Sequence, residues 1–501
     1  MQKKTLFLIL FIALKMVLQF VVVNPIYELH RDEYLHLDQA HHLAWGFHSV
    51  PPLTSFFSYI IFQLGNSYFW IKFFPALFGA LTIMMVWKTV NLLKGNLFAC
   101  SLAAIALIFS PFLRINLLYQ PNSFDVLSWT LVYYFLVRFV KENNYKWLYL
   151  AAVGFALGFL NKYNIIFCAV GLLPALLLSP LRRHLAKPQF YLALLLALLL
   201  ISPNLIWQFQ HNFPVFRHLK ELNETQLVHV SRLDFLAEQF KFFLGSLIIL
   251  VAAFIGFFNY RPFRPYRILA LAYLFTLLVF VALRAKGYYA LGLYPILIAF
   301  GSCYLGILTE KKRALRYVLM AIVLLLFVPV AWIALPLKTP GQYVRDAAAH
   351  RPFSEHRWED GKYYPISQDF ADMLGWEELA YKVDAAYRLQ KDRSNLLVLC
   401  DNYGQAGAIN YFTKNEGLIA NSFNADYANW IDLSKPIHTV IWVMEAGSDS
   451  EKVNALFADV TVLGEVDYPY AREKGTKIML LKAPRTDINA LLKREQAKMA
   501  D

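Results

Sequence analysis

Long apolar runs separated by short polar connections constrain this chain more than any motif in it. A helix needs about 17–25 predominantly apolar residues to cross a bilayer. About eleven stretches approach that length: near residues 5–23, 68–92, 96–113, 123–140, 147–161, 164–180, 190–208, 238–258, 267–284, 289–308 and 317–336. With 58% hydrophobic and 17% charged residues, the chain reads as a mainly α polytopic membrane protein. The two shortest runs flank Lys162 and read equally as one broken hairpin. The first run lacks a small-x-small cleavage site and is followed by Asn24-Pro25, so it is expected to be retained.

Orientation follows from the basic residues of the short connections. Starting the N-terminus inside and alternating puts Lys88, Lys94, Lys141, Lys146, Arg182, Arg183, Lys187, Arg261, Arg264, Arg267 and Lys311–Arg316 on the cytoplasmic side. Every inner connection is then basic. The net charge of +13 is therefore topological, and no nucleic-acid partner is expected. An odd number of spans places the C-terminal part outside. Residues 1–336 are expected as the membrane part, with an outward first loop at 24–67, and residues 337–501 as a soluble α/β domain on the outer face.

After Leu337 the composition turns polar. A helix is expected from about 376 to 390, strands at 396–400, 438–444, 460–466 and 477–482, and a helix at 450–457. Gly404 and Gly407 form no phosphate loop. Cys100, Cys168 and Cys303 lie in apolar runs and only Cys400 in the outer part, which leaves no disulfide framework.

The densest polar stretch near the N-terminus is His30–Pro52. Read as a helix from Glu33 to Trp45, it places Leu37, Ala40, Ala44 and Phe47 on one stripe, and such a helix is expected to lie on the bilayer surface. Asp32, Glu33 and Asp125 all fall at outer ends of spans. Ionisable groups at a membrane boundary are costly unless they pair or line a wet cavity. The bland reading makes Asp32 and Asp125 helix caps; the functional one makes a carboxylate the base for an attacking hydroxyl. Lys162, Arg284, Lys286, Tyr288 and Tyr289 form the opposite set. Snorkelling to head groups is one reading; holding a phosphate as charge builds on its bridging oxygen is the other. A base for the acceptor and cations for a departing phosphate are what glycosyl transfer from a lipid-phosphate sugar requires. No cofactor is expected. Asp38, His41 and His42 share a helix face, but one helix supplies only part of a coordination shell and no HExxH spacing occurs. The histidines therefore read as solvated or facing head groups, with a divalent metal as the alternative.

His30-Arg-Asp-Glu-Tyr34, His42-Leu-Ala-Trp-Gly46 and Pro51-Pro-Leu53 resemble the first outer loop of family-39-type bacterial glycosyltransferases, a group related to protein O-mannosyltransferases and the lipid A aminoarabinose transferase. Phe124-Asp125, Asn161-Lys162-Tyr163, Lys286-Gly-Tyr-Tyr289, Tyr294-Pro295, Leu374-Gly-Trp-Glu377 and Asn402-Tyr-Gly-Gln-Ala-Gly-Ala408 extend the resemblance along the chain. It implies a GT-C fold and inverting transfer from a polyprenyl-phosphate sugar, such as an undecaprenyl-phosphate sugar, at the periplasmic face of a bacterial inner membrane. The acceptor would be a hydroxyl of an envelope glycan, lipid or protein. Asp32 matches the family's base position and Asp125 its second acidic position; Lys162, Lys286, Tyr288 and Tyr289 match the residues near the lipid phosphate. Where aminoarabinose transferases carry Glu-Lys before the Pro-Pro pair, Ser49-Val50 stands here, which argues against assuming that sugar or lipid A. The competing class is a transporter or flippase of a lipid-linked sugar.

Overall fold

The computed structural model describes residues 2–349, 356–448 and 451–500. All eleven apolar runs are helical at their centres. Among the described residues, seven helices are long and apolar enough to cross a membrane, or up to nine when two bent pairs count as one span each. Those pairs break at 101° (Tyr163–Leu177 with Pro180–Ala186) and 63° (Arg232–Phe242 with Leu244–Asn259). The helices Leu97–Ile108 and Lys146–Asn161 have only 12 and 16 residues. At 1.5 Å per residue these reach about 18 and 24 Å, short of a hydrocarbon core of about 30 Å. The expected eleven spans thus include two that are too short to cross unaided.

The helix Tyr294–Leu308 runs through the bundle centre and is buried along most of its length. The helices Pro188–Gln210 and Arg313–Ala334 turn most of their leucines outward, as lipid-facing helices do. A Cβ on Gly301 would overlap the carbonyl of Ile249, so glycine there lets two helix backbones touch.

The basic connections meet at one end of the bundle. Lys4 Nζ donates to Asn91 Oδ1 (2.9 Å) and the Gly95 carbonyl (2.8 Å), and Lys141 donates to the Leu92 carbonyl. Asn96 and Arg316 both donate to the Gly306 carbonyl, at 3.4 and 3.3 Å. The first loop, the Lys162 break and the chain after Leu337 gather at the other end. The positive connections therefore share one face of the molecule.

The first loop differs from expectation. The helix is Arg31–Asp38, followed by a single 3-10 turn, Gln39–His41. Glu33, Tyr34, Leu35, His36 and Leu37 are buried, so it does not lie on a bilayer surface. The reason is a second covering layer: Tyr34, Leu35 and Leu37 share one apolar cluster with Phe74 and Phe78 of the helix Tyr68–Leu92 and with Trp376, Ile409 and Val443 of the C-terminal part. His30, not Asp32, caps the helix. Its Nδ1 accepts from the Asp32 amide (3.2 Å), while Glu33 Oε2 accepts from the His30 amide (2.7 Å). This is a capping box with histidine in the usual Ser/Thr place.

The C-terminal part carries a five-stranded mixed sheet: β1 (Leu396–Cys400), β2 (Ala420–Ser422), β3 (Thr439–Met444), β4 (Phe457–Glu465) and β5 (Lys477–Pro484). The order is β2-β1-β3-β5-β4. β1 is parallel to β2 and β3, and β5 is antiparallel to β3 and β4. Alternation in β1 sends Leu397 and Leu399 toward Ile488 and Leu492, and Val398 and Cys400 toward Leu379 and Ile409. β2 has three residues, too few for a sequence pattern to show.

The helix Tyr403–Phe412 lies directly against Arg31–Asp38. A Cβ at Gly407 would stand 2.8 Å from Tyr34 Cβ and 2.7 Å from the Tyr427 hydroxyl. Glycine is required there by the closeness of two helices.

Candidate active site

Asp32 is partly open, with 35% of its side chain exposed. Oδ1 accepts from the Tyr403 hydroxyl at 2.6 Å and Oδ2 from Gln120 Nε2 at 3.0 Å. The Arg31 guanidinium stacks on the Tyr403 ring, 4.3 Å from its centroid. Burial would push the Asp32 carboxyl up. The neighbouring His30 imidazole, the Arg31 charge and the Tyr403 hydroxyl outweigh it and hold Asp32 at about 2. It is a carboxylate throughout the physiological range.

Glu33, one residue on, is sealed. Lys72 Nζ lies 2.6 and 2.7 Å from its two oxygens, and the Tyr119 and His30 amides donate at 2.6 and 2.7 Å. All its acceptor positions face protein groups, which fits it for holding the loop rather than for taking a proton.

From Asp32 a hydrogen-bonded path crosses to the cationic set. Asn122 Nδ2 donates to Gln120 Oε1 at 2.9 Å, and Lys162 Nζ donates to Asn122 Oδ1 at 2.5 Å. Lys162 Nζ also sits 5.0 and 4.9 Å from the ring centroids of Tyr288 and Tyr289. The break after Asn161 turns the backbone to an extended conformation at Lys162, which frees its side chain from the helix wall. Asp125 lies one turn along the helix from Asn122. It is buried, and accepts from Trp129 Nε1 (3.1 Å) and Asn164 Nδ2 (2.8 Å). Asn164 also donates to the Tyr289 carbonyl at 3.0 Å. Asp32 and Asp125 therefore belong to one polar system without both opening into it: Asp125 fixes the Lys162 break against the tyrosine loop.

Lys286 Nζ donates to Gln226 Oε1 at 2.6 Å and pairs with Glu359. Burial would lower its ionisation; Glu359 above all, and Asp32 more weakly, raise it on balance. Arg284 is exposed, in a left-handed conformation (φ 52°) that turns the chain ahead of Lys286. Among the described residues no hydrogen bond or ion pair joins it to this set. The Asp38, His41, His42 face does not converge either. Asp38 accepts from Tyr427 (2.6 Å) and Asn410 (2.7 Å), His41 packs edge-on against Phe62, and His42 stacks on Trp430.

Residues 49–207 match the family model described as dolichyl-phosphate-mannose-protein mannosyltransferase. A lipid A galacturonosyltransferase of Rhizobium johnstonii is 25% identical over 218 residues, 41% of this chain; the chain spans 45% of that relative's length. ArnT from Cupriavidus metallidurans, in the crystal structure bound to undecaprenyl phosphate, superimposes with a TM-score of 0.62 at 12% identity, covering 95% of this chain and 98% of that one. Its apo structure gives 0.62 and 12% over 97% and 99%. The chain has the GT-C fold.

Within this GT-C frame, three neighbours of the expected residues were not singled out by sequence reasoning. Lys72 carried a usable signal, being a charge near the outer-expected start of an apolar run and far from the basic connections. Tyr403 lies within Asn402–Ala408, a stretch noted for resemblance without a role. Gln120 carried no signal, because an uncharged amide beside a proline looks like any turn.

Proposed function

We propose that this protein is an inverting glycosyltransferase that moves a sugar from a polyprenyl-phosphate donor to a hydroxyl of an envelope glycan, lipid or protein. The observation that carries the reading is the single polar path running from a partly open, ionised Asp32 through Gln120 and Asn122 to Lys162. Asp32 would accept the proton of the attacking hydroxyl. Lys162 would meet the phosphate as its bridging oxygen takes up charge, with Lys286 and the Tyr288 and Tyr289 phenols beside it. A phosphate leaves readily, so no paired acid is needed. Asp125 would act by positioning Lys162, and Glu33 by fixing the loop that presents Asp32. Residues 1–336 would form the catalytic membrane part and residues 337–501 the outer domain that supplies Tyr403. The positive-inside pattern supports an inner-membrane location with this site on the periplasmic face and the N-terminus in the cytoplasm.

The test is mass spectrometry of envelope lipids and glycans from cells with and without the protein, joined to an assay of the purified protein with an undecaprenyl-phosphate sugar. Transfer predicts a gained residue mass and release of free undecaprenyl phosphate. Movement of intact donor across vesicles with no phosphate release would assign a transporter instead.

A further inference from the structure

A second cluster stands outside this path. His48 belongs to the first loop; His218 and Glu221 project from one face of the helix Pro214–Thr225, three residues apart. One ligand atom from each lies within 4.8 Å of the other two. His48 Nε2 is 3.9 Å from Glu221 Oε2, and the two imidazole rings meet at a centroid distance of 5.8 Å with an interplanar angle of 75°. His48 is held by its own backbone, whose amide donates to Asp426 Oδ1 at 2.6 Å, and Asp426 Oδ2 in turn accepts from Gln39 at 2.9 Å.

We infer that His48, His218 and Glu221 bind a divalent first-row transition ion of the Zn²⁺ class, which clamps the helix Pro214–Thr225 to the first loop. Two imidazoles and one carboxylate are a donor set that zinc accepts, with the fourth position left to water. Bonds of about 2.0–2.2 Å in a tetrahedral site put ligand atoms roughly 3.4 Å apart, so the three close inward by about 1 Å on binding. Without an ion, the contact is two imidazoles and a carboxylate that is 58% exposed, worth little as an ion pair. With one, segments 170 residues apart are cross-linked.

The clamp bears on the site next to it. Gln226, just past the helix end, accepts from Lys286 at 2.6 Å. Pinning the helix sets where Gln226 stands, and therefore how Lys286 divides its donors between Gln226, Glu359 and an incoming anion. The ion touches none of the groups assigned to proton or phosphate handling, so its role is to position that loop.

The experiment uses the full-length protein in detergent, stripped with a chelator and titrated with Co²⁺. The expected result is the visible d–d absorption of a four-coordinate site, saturating at one ion per chain and quenched by Zn²⁺. His218→Ala and His48→Ala should lose it. Glu221→Gln, at an exposed side chain that the fold does not need, should weaken it. Limited proteolysis between residues 212 and 231 should be slowed by Zn²⁺ in the native protein and not in His218→Ala. A native protein with no saturable spectrum, or one retained in both His218→Ala and Glu221→Gln, overturns the site. Cleavage indifferent to Zn²⁺ overturns the clamp.

Discussion

The Tyr403 hydroxyl donates to Asp32 Oδ1 at 2.6 Å across 371 residues of sequence. A group from the C-terminal part thus completes the surroundings of the first loop's open carboxylate. Asp32 is held at about 2, below the ordinary aspartate value of 3.8. A depressed carboxyl contributes stability that is fully present above its unfolded value and is lost as pH falls through about 2. Asp32 itself should therefore place no ionisation in the neutral range of the transfer reaction.

Tyr403→Phe removes a donor that favours the charged form, so Asp32 should ionise at higher pH. A hydrogen bond to a charged group is worth about 1.5–3 kcal/mol, and the partial exposure of Asp32 argues for the lower end, about one pH unit. The measurement is the acid limb of kcat/KM against pH. A limb that stays where it was would remove Tyr403 from the tuning of the base.

The adjacent carboxylates should separate cleanly. Asp32→Asn keeps a polar partner for Gln120 but gives up the stability of the depressed carboxylate, so it should fold, unfold somewhat below the native temperature in detergent, and lose transfer. Glu33→Gln strands a buried Lys72, and breaking a buried pair costs about 3–5 kcal/mol. Thermal unfolding read beside turnover decides it. Full activity in Asp32→Asn, or unchanged stability in Glu33→Gln, contradicts the assignment.

Lys162→Met should act on the donor. Losing a charged contact of about 1.5–3 kcal/mol corresponds to roughly a 10- to 100-fold rise in donor KM or fall in kcat/KM. Acceptor KM should hardly move. Equal effects on both substrates would point to a general distortion of the break at Asn161.

Gly407→Val tests whether close packing of the C-terminal part serves the site. The added side chain meets Tyr34 and Tyr427, and overpacking of this kind costs about 1–3 kcal/mol. Transfer should fall more than stability does, because Tyr403 rides on the same helix. A variant with native turnover would falsify the coupling.

Orientation can be read by labelling. All four native cysteines are buried, so the background is low. Tyr381 is 68% exposed; Tyr381→Cys should react with a membrane-impermeant maleimide added to spheroplasts. Protection until the cells are lysed would place the C-terminal part inside.

Much of this protein was legible in local pattern because the bilayer demands one. Each long apolar run declares a helix, the basic connections declare an end, and the short apolar runs at 396–400 and 438–444 declare buried strands. Asp32, Lys162 and Lys286 stood out because charges next to spans are expensive. Arg284 stood out for the same reason and does not join the set, since a turn residue carries the same charge wherever its backbone points it.

What the sequence determined by itself was a membrane helix bundle with an α/β C-terminal part, because burial of apolar residues is written at short range. Only the tertiary structure decided which acid is open and which is sealed. Asp32 and Glu33 are neighbours with the same chemistry; Tyr403 and Gln120 flank one, and Lys72 with the Tyr119 and His30 amides encloses the other. Those partners, mostly distant in sequence, come from segments whose meeting depends on packing, and a side chain's solvation is fixed by what packs around it.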